Sequence, residues 1–306
     1  MASLEAQLHA AALEGDLDRL QACLAAGAIP SALVPRHVRG RHESALHAAA
    51  KRGHAACVQQ LLRAGTDPNI ATDDSVTPLH QASIHRHLPC VEALLAAGAA
   101  AEACGWGRVP PLYIAAAKGD APSVQALLAA GVSPCPVLPS GWPPAHVGYR
   151  RAAVLRLLLA AQPEAAAHRT SDGRTPLAIA LSKQRFDSAH CLLTEGSVLP
   201  VDEVLALLGQ QGPEAQPLFA ALPARQQMTA AEWAHVPAPC AGLAAVLPAV
   251  LGRSVEKAAL LVRHLPPADS ERLRAAALCL ARAQQVHGVH LPTPLVWRLL
   301  ANSAAD

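Results

Sequence analysis

The feature that most constrains this chain is a repeat. SALH begins at Ser44, TPLH at Thr77, PPLY at Pro110, PPAH at Pro143 and TPLA at Thr175, in steps of 33, 33, 33 and 32 residues. A second marker keeps step with the first, as RAG ending at Gly65, AAG at Gly98 and Gly131, AAQ at Gln162 and TEG at Gly196. AQLH at Ala6–His9, with AAG ending at Gly27, adds an earlier unit. Self-similarity at such a period marks a fold built by stacking one supersecondary unit on the next.

Each unit reads as two helices. Thr77 suits a helix N-cap, and Pro78 suits the first helical position, where a missing N–H costs nothing. A short Ala-rich helix follows, small enough for neighbours to approach closely. After a turn, Val91, Leu94 and Leu95 form the apolar stripe of a second helix, which Gly98 ends in the left-handed conformation. The composition agrees. At 52% hydrophobic and 3% aromatic, the chain must fill its core with Ala and Leu, which favours close-packed helices over a β-sandwich.

The motifs TPLHQAS at 77–83 and LLAAG at 94–98, with the 33-residue period, resemble ankyrin repeats. The resemblance covers about residues 1–200 as six units, and implies an all-α solenoid of helix-turn-helix units with β-turn fingers. The unit over about 136–165 departs from it: 19 residues separate Pro143 from Gln162, against 21 from Thr77 to Gly98. It lacks the glycine between its helices, so a shortened helix pair is expected. Ala6 stands at the cap of the first unit, and the finger from Gly27 to Ser44 is five residues longer than the usual twelve-residue step. That extra length carries Arg36, His37, Arg39, Arg41 and His42.

Beyond about Pro200 the period stops. Helical patterns at 201–209, 214–221, 229–235, 240–251, 254–264, 269–287 and 294–302 predict an α-helical C-terminal domain, 201–306, that caps the repeat domain, 1–200. Asp269-Ser270 is the expected cap of the clearest of these helices. The stretch ALCLARAQQVHGVHLPTPLVWRLL, from 277, faintly resembles the SOCS box of some ubiquitin-ligase adaptors, although Ala275 stands where that box has leucine.

Several chemistries are disfavoured. The formal charge of +2 is too small for whole-chain nucleic-acid binding. No phosphate-binding, dinucleotide, nucleophile-elbow or kinase motif appears. His42-Glu43 with His47 spells HExxxH. The zinc-protease motif needs HExxH to put both histidines on one helical face, and here the cap Ser44 falls between them. The resemblance makes His47, with His9, His80 and His146, the repeat's structural histidine. His85, His87 and Cys90 lack a fourth metal ligand. Eight cysteines without a CxxC pair read as reduced thiols. The start has no basic n-region, and the uncharged runs near 120–150 and 233–252 are too rich in proline for a membrane span.

The functional expectation is therefore a non-enzymatic, monomeric protein-interaction module without cofactor or metal, in the cytoplasm or nucleus; the alternative is a ubiquitin-ligase substrate adaptor. Counting each cap as zero, position plus eight is Arg52, His85, Lys118, Arg151 and Lys183, extended at plus seven by Lys51 and Arg150. The resemblance implies that these positions end the inner helices on the concave face, so a basic stripe there would steer an acidic partner segment. Arg41, in the long basic finger, joins its end. The finger tips supply the second candidate set: Asp73, Asp74, Val76, Trp106, Val109, Trp142 and Arg174, with tryptophan flanked by arginine suiting a hot spot.

Overall fold

The computed structural model describes residues 3–35, 42–134, 141–196, 199–219, 221–222, 229–236 and 263–271. It divides into two compact units, Met1–Pro176 and Leu177–Asp306.

The first unit is a stack of helical hairpins. The inner helices are α1 (Leu4–Glu14), α3 (Ala45–Arg52), α5 (Pro78–His85), α7 (Pro111–Lys118) and α9 (Pro144–Val147). The outer helices are α2 (Leu17–Ala25), α4 (Ala55–Arg63), α6 (Leu88–Ala96), α8 (Ala121–Ala129) and α10 (Ala152–Ala161). Each inner helix packs on the next inner helix, each outer on the next outer, and each pair packs within itself. Leu8, Leu20, Leu46, Leu61, Leu79, Leu94, Leu112, Leu127 and Leu158 form one continuous buried core through this stack. Alanines at 48, 49, 82, 115 and 116 are fully buried between helices, where larger side chains would hold the backbones apart.

Local chemistry sets the ends of these elements. Ser44 caps α3, accepting from the His47 N–H at 3.4 Å. Gly98, at φ +82°, turns the chain out of α6 in the left-handed region. Fingers are tied to one another: the Ala100 N–H donates to Asn69 Oδ1 (2.6 Å) and the Ser133 N–H to Glu102 Oε1 (3.0 Å). The long finger is a hairpin of β1 (Leu33–Pro35) and β2 (His42–Ser44), antiparallel with Val34 opposite Glu43.

One expectation needs correction, and the shortening expected of the short unit falls on one helix of its pair. The cap of α1 is Ser3, whose side chain accepts from the Ala6 N–H at 3.2 Å. The first helix starts earlier than the repeat alignment places it, at the residue where a hydroxyl is available. In the short unit, α9 has four residues and runs into a single 3-10 turn, Gly148–Arg150, instead of completing an eight-residue helix. The deletion there removes the last inner-helix turn and leaves α10 intact.

The second unit begins one residue into α11 (Pro176–Ser182) and contains α12 (Phe186–Glu195), α13 (Val201–Gly209) and α14 (Gln216–Phe219). α14 packs on both α12 and α13. A further short helix spans Ala230–Trp233, and residues 263–264 form a turn. Residues 267–271 are already helical, with the Ser270 N–H bonded to Pro266 O, so that helix begins ahead of Asp269. The helices expected at 240–251 and 294–302, most of those at 254–264 and 269–287, and the SOCS-like stretch from 277 lie outside the described residues. So do Arg41 and the finger tip from Arg36 to Gly40. Among the described residues, no helix is long and apolar enough to cross a membrane.

Candidate functional site

The opening histidines belong to the framework. His47 is fully buried, and its Nε2–H donates to the Val76 carbonyl of the next finger (2.9 Å). A carbonyl can only accept, so the imidazole is the Nε2–H tautomer and Nδ1 is the acceptor. Ser44 Oγ donates to that Nδ1 at 2.8 Å. His80 repeats the arrangement, with Thr77 Oγ1 on Nδ1 (2.7 Å) and Val109 O on Nε2 (3.1 Å). His146 donates to Arg174 O (3.1 Å), but Pro143 has neither hydroxyl nor N–H to offer, and His146 Nδ1 is left without a partner among the described residues. Burial holds all three imidazoles below their usual value of 6.5. His42 lies apart from them, pairing with Asp73 through ring and backbone nitrogens, each 3.1 Å from Oδ2.

The finger-tip candidates divide. Asp73 is engaged by His42. Val76 and Val109 are half-buried and lend their carbonyls to the histidine tethers. Arg174 lends its carbonyl too, while its exposed Nε pairs with Asp172 Oδ2 (3.0 Å). Trp142 meets His146 edge-on, with centroids 6.2 Å apart, so part of its ring serves packing within its own unit. Asp74 is half-buried. Trp106 opens a 3-10 turn, Trp106–Arg108, and its side chain lies outside the described residues.

The basic residues converge better. Arg52, His85 and Lys118 are the last residues of α3, α5 and α7, three adjacent inner helices, and all are exposed. Lys51 is half-buried beside Arg52. His85 senses them all. Partial desolvation lowers its pKa first, and the charges of His87, Lys51, Lys118 and Arg52 lower it further, with no acidic group among the causes. None of Lys51, Arg52 and Lys118 forms an ion pair with a described residue.

His87 is the member that spacing did not pick out. Its ring stacks on His85, with centroids 6.1 Å apart and planes 17° from parallel. Its Nε2–H donates to Lys51 O (3.2 Å), tying α5–α6 to the end of α3. A Cβ on Gly53 (φ +82°) would stand 2.6 Å from this ring. His54, 33 residues earlier, does the same over Gly15 and reaches Leu13 O (3.3 Å). That periodicity was the signal available for His87.

The short unit moves Arg151. It is the N-cap of α10, and its Cγ lies 2.6 Å from where a Gly119 Cβ would be. It thus takes the place that His54 and His87 hold, at the head of an outer helix, because two residues are missing before it. Lys183 follows the end of α11 in the second unit, exposed.

The thiols sit elsewhere. Cys57 and Cys90 are buried in the core, and burial pushes the Cys90 thiol up to about 11. His85 is exposed while Cys90 is fully buried, so they do not form one ligand set. Among the described residues no group of three or more His, Cys, Asp or Glu side chains could hold a metal ion.

Comparison with known proteins agrees with this architecture. Family models of ankyrin repeats match residues 8–103 (three copies) and 79–128 (many copies). The solved ankyrin repeat domain of human ASB11 is similar at 26% identity and a TM-score of 0.58, covering 73% of this chain and 99% of that one. The ankyrin repeat domain of Bcl-3, a member of the IkappaB protein family, shares the fold at 23% identity and a TM-score of 0.54, over 63% of this chain and 86% of that one. No curated protein matches the sequence. Helical hairpins in 33-residue register, histidine tethers between fingers and these matches agree: residues 8–128 of this chain are ankyrin repeats.

Proposed function

We propose that the chain is a non-enzymatic interaction module whose first unit binds an acidic segment of a partner protein. The observation that carries this reading is the row of inner-helix ends. Lys51 and Arg52, His85, and Lys118 stand on three consecutive helices, in register, without an acidic partner among the described residues. Leaving like charges together costs stability unless something outside the fold answers them. A carboxylate-bearing segment running along the row would meet a cation at each repeat, which favours fast, salt-sensitive encounter. Ankyrin repeats generally mediate protein–protein interaction, which supports this reading.

Affinity purification from the native cell tests it, using the wild-type chain and the charge-reversed Lys51→Glu, Arg52→Glu, Lys118→Glu form. The reading predicts that a partner recovered by the wild type is lost by the variant. The same partner recovered equally by both, with the same salt dependence, overturns it.

A further inference from the structure

The stacked histidines give this surface a second property. Among the described residues, the charged groups that face His85 are three cations, Lys51 and Arg52 at the end of α3 and Lys118 at the end of α7, with the His87 ring at the head of α6 beside it. Protonating it in the free protein adds a fourth positive charge to three existing ones. His87 cannot move away, because its Nε2–H is fixed on Lys51 O and its ring covers Gly53. The repulsion is therefore built into the framework of two neighbouring repeats.

An anionic ligand reverses the balance. Carboxylates over Lys51, Arg52 and Lys118 offset the repulsion and add attraction for an imidazolium between them. We propose that binding of an acidic segment is coupled to proton uptake on His85, stacked on His87, so that the surface binds more tightly as pH falls through the imidazole range. This rests on the reading of the row as the binding surface. The sign follows from linkage: if the complex holds more protons than the free species, lowering the pH favours the complex. Histidine is the side chain whose charge changes in this range without unusual perturbation.

The test uses a fluorescent oligo-glutamate peptide, whose carboxylates ionise near 4.3 and stay charged from pH 6 to 8. Its Kd is measured across that range with the full chain, and proton uptake by calorimetry in buffers of different ionisation enthalpy. One proton taken up tightens Kd by up to about tenfold per pH unit. The expected result is uptake of a fraction of a proton, and a several-fold tightening from pH 7.5 to 6.0. That dependence should be lost in His85→Gln. Circular dichroism at each pH confirms that the variants are folded. Binding with no pH dependence, or with the wild-type dependence retained in His85→Gln, overturns the proton coupling and leaves the basic surface standing. Binding that is absent, or indifferent to Lys51→Glu with Lys118→Glu, overturns both.

Discussion

Replacing His80 by leucine tests whether the buried histidines hold adjacent repeats together. The imidazole joins two units: Nδ1 takes the Thr77 hydroxyl at 2.7 Å and the Thr77 N–H at 3.2 Å, and Nε2–H reaches Val109 O at 3.1 Å. Its ring also lies against Gly105, where an added Cβ would meet it at 2.7 Å. Leucine is close in bulk but satisfies none of these groups. The Thr77 hydroxyl can turn to another acceptor and the Val109 carbonyl keeps the Gly105 N–H at 3.2 Å, which leaves the Thr77 N–H as the orphan. A buried polar group left unpaired costs about 1–3 kcal/mol, so the substitution should cost roughly that much. For a cooperative unit of this size that is on the order of 2–12 °C in Tm. Thermal and urea unfolding of the full chain, followed by circular dichroism, give the figure. Hydrogen exchange should locate the loss in the finger before α7. A cost below about 1 kcal/mol, or exchange unchanged in residues 100–110, would refute the idea that the histidine tethers the fingers.

Other perturbations follow from the same geometry. His47, His80 and His146 have folded values held below 6.5 by burial, so below that pH the unfolded chain binds more protons than the folded one. Their contribution to stability is complete above about pH 6.5 and declines as pH falls, which a lower urea midpoint at pH 5.5 than at 7.5 would register. Pro143→Thr should stabilise by about 1 kcal/mol, by giving His146 Nδ1 the hydroxyl that Thr77 gives His80; an unchanged or lower midpoint counts against it. Gly53→Ala places a methyl on a left-handed residue 2.6 Å from the His87 ring. It should cost at least about 1–2 kcal/mol and shift the His87 ring resonances in an NMR spectrum. Leu79→Ala, at a fully buried position shared by neighbouring units, should cost about 2–5 kcal/mol in the same unfolding assay.

Much of the first unit was legible because the repeat restates its own rules. Ser44 and Thr77 announce helix starts, Gly65 and Gly98 announce helix ends, and the deletion before Gln162 announces a short unit. What escaped were contacts at the ends and turns of helices. The stacking of His87 on His85 depends on how the head of one outer helix sits beside the end of its own inner helix. Residue spacing within a unit does not describe that. Arg151 shows the same limit: counting from the cap puts it at plus eight, but the missing residues re-register it with His54 and His87. The cap of α1 was missed because Ala6 fits the repeat alignment, whereas Ser3 has the hydroxyl. Arg86 at φ +62° holds a turn that glycine makes at Gly53 and Gly119, and the sequence pattern carries no sign of that strain. The finger-tip residues were the least legible, since whether Asp73 or Trp142 faces outward depends on His42 and His146.

The central claim is that the inner-helix ends bind acid. Its most direct test is the Kd of the oligo-glutamate peptide at 50 and 200 mM salt, for the wild type and for Lys51→Glu, Arg52→Glu, Lys118→Glu. Salt at these concentrations screens exposed charges over about 10 Å, so the account predicts weaker binding at 200 mM for the wild type and none measurable for the variant. Equal Kd values in the two proteins, or a wild-type Kd indifferent to salt, would contradict it.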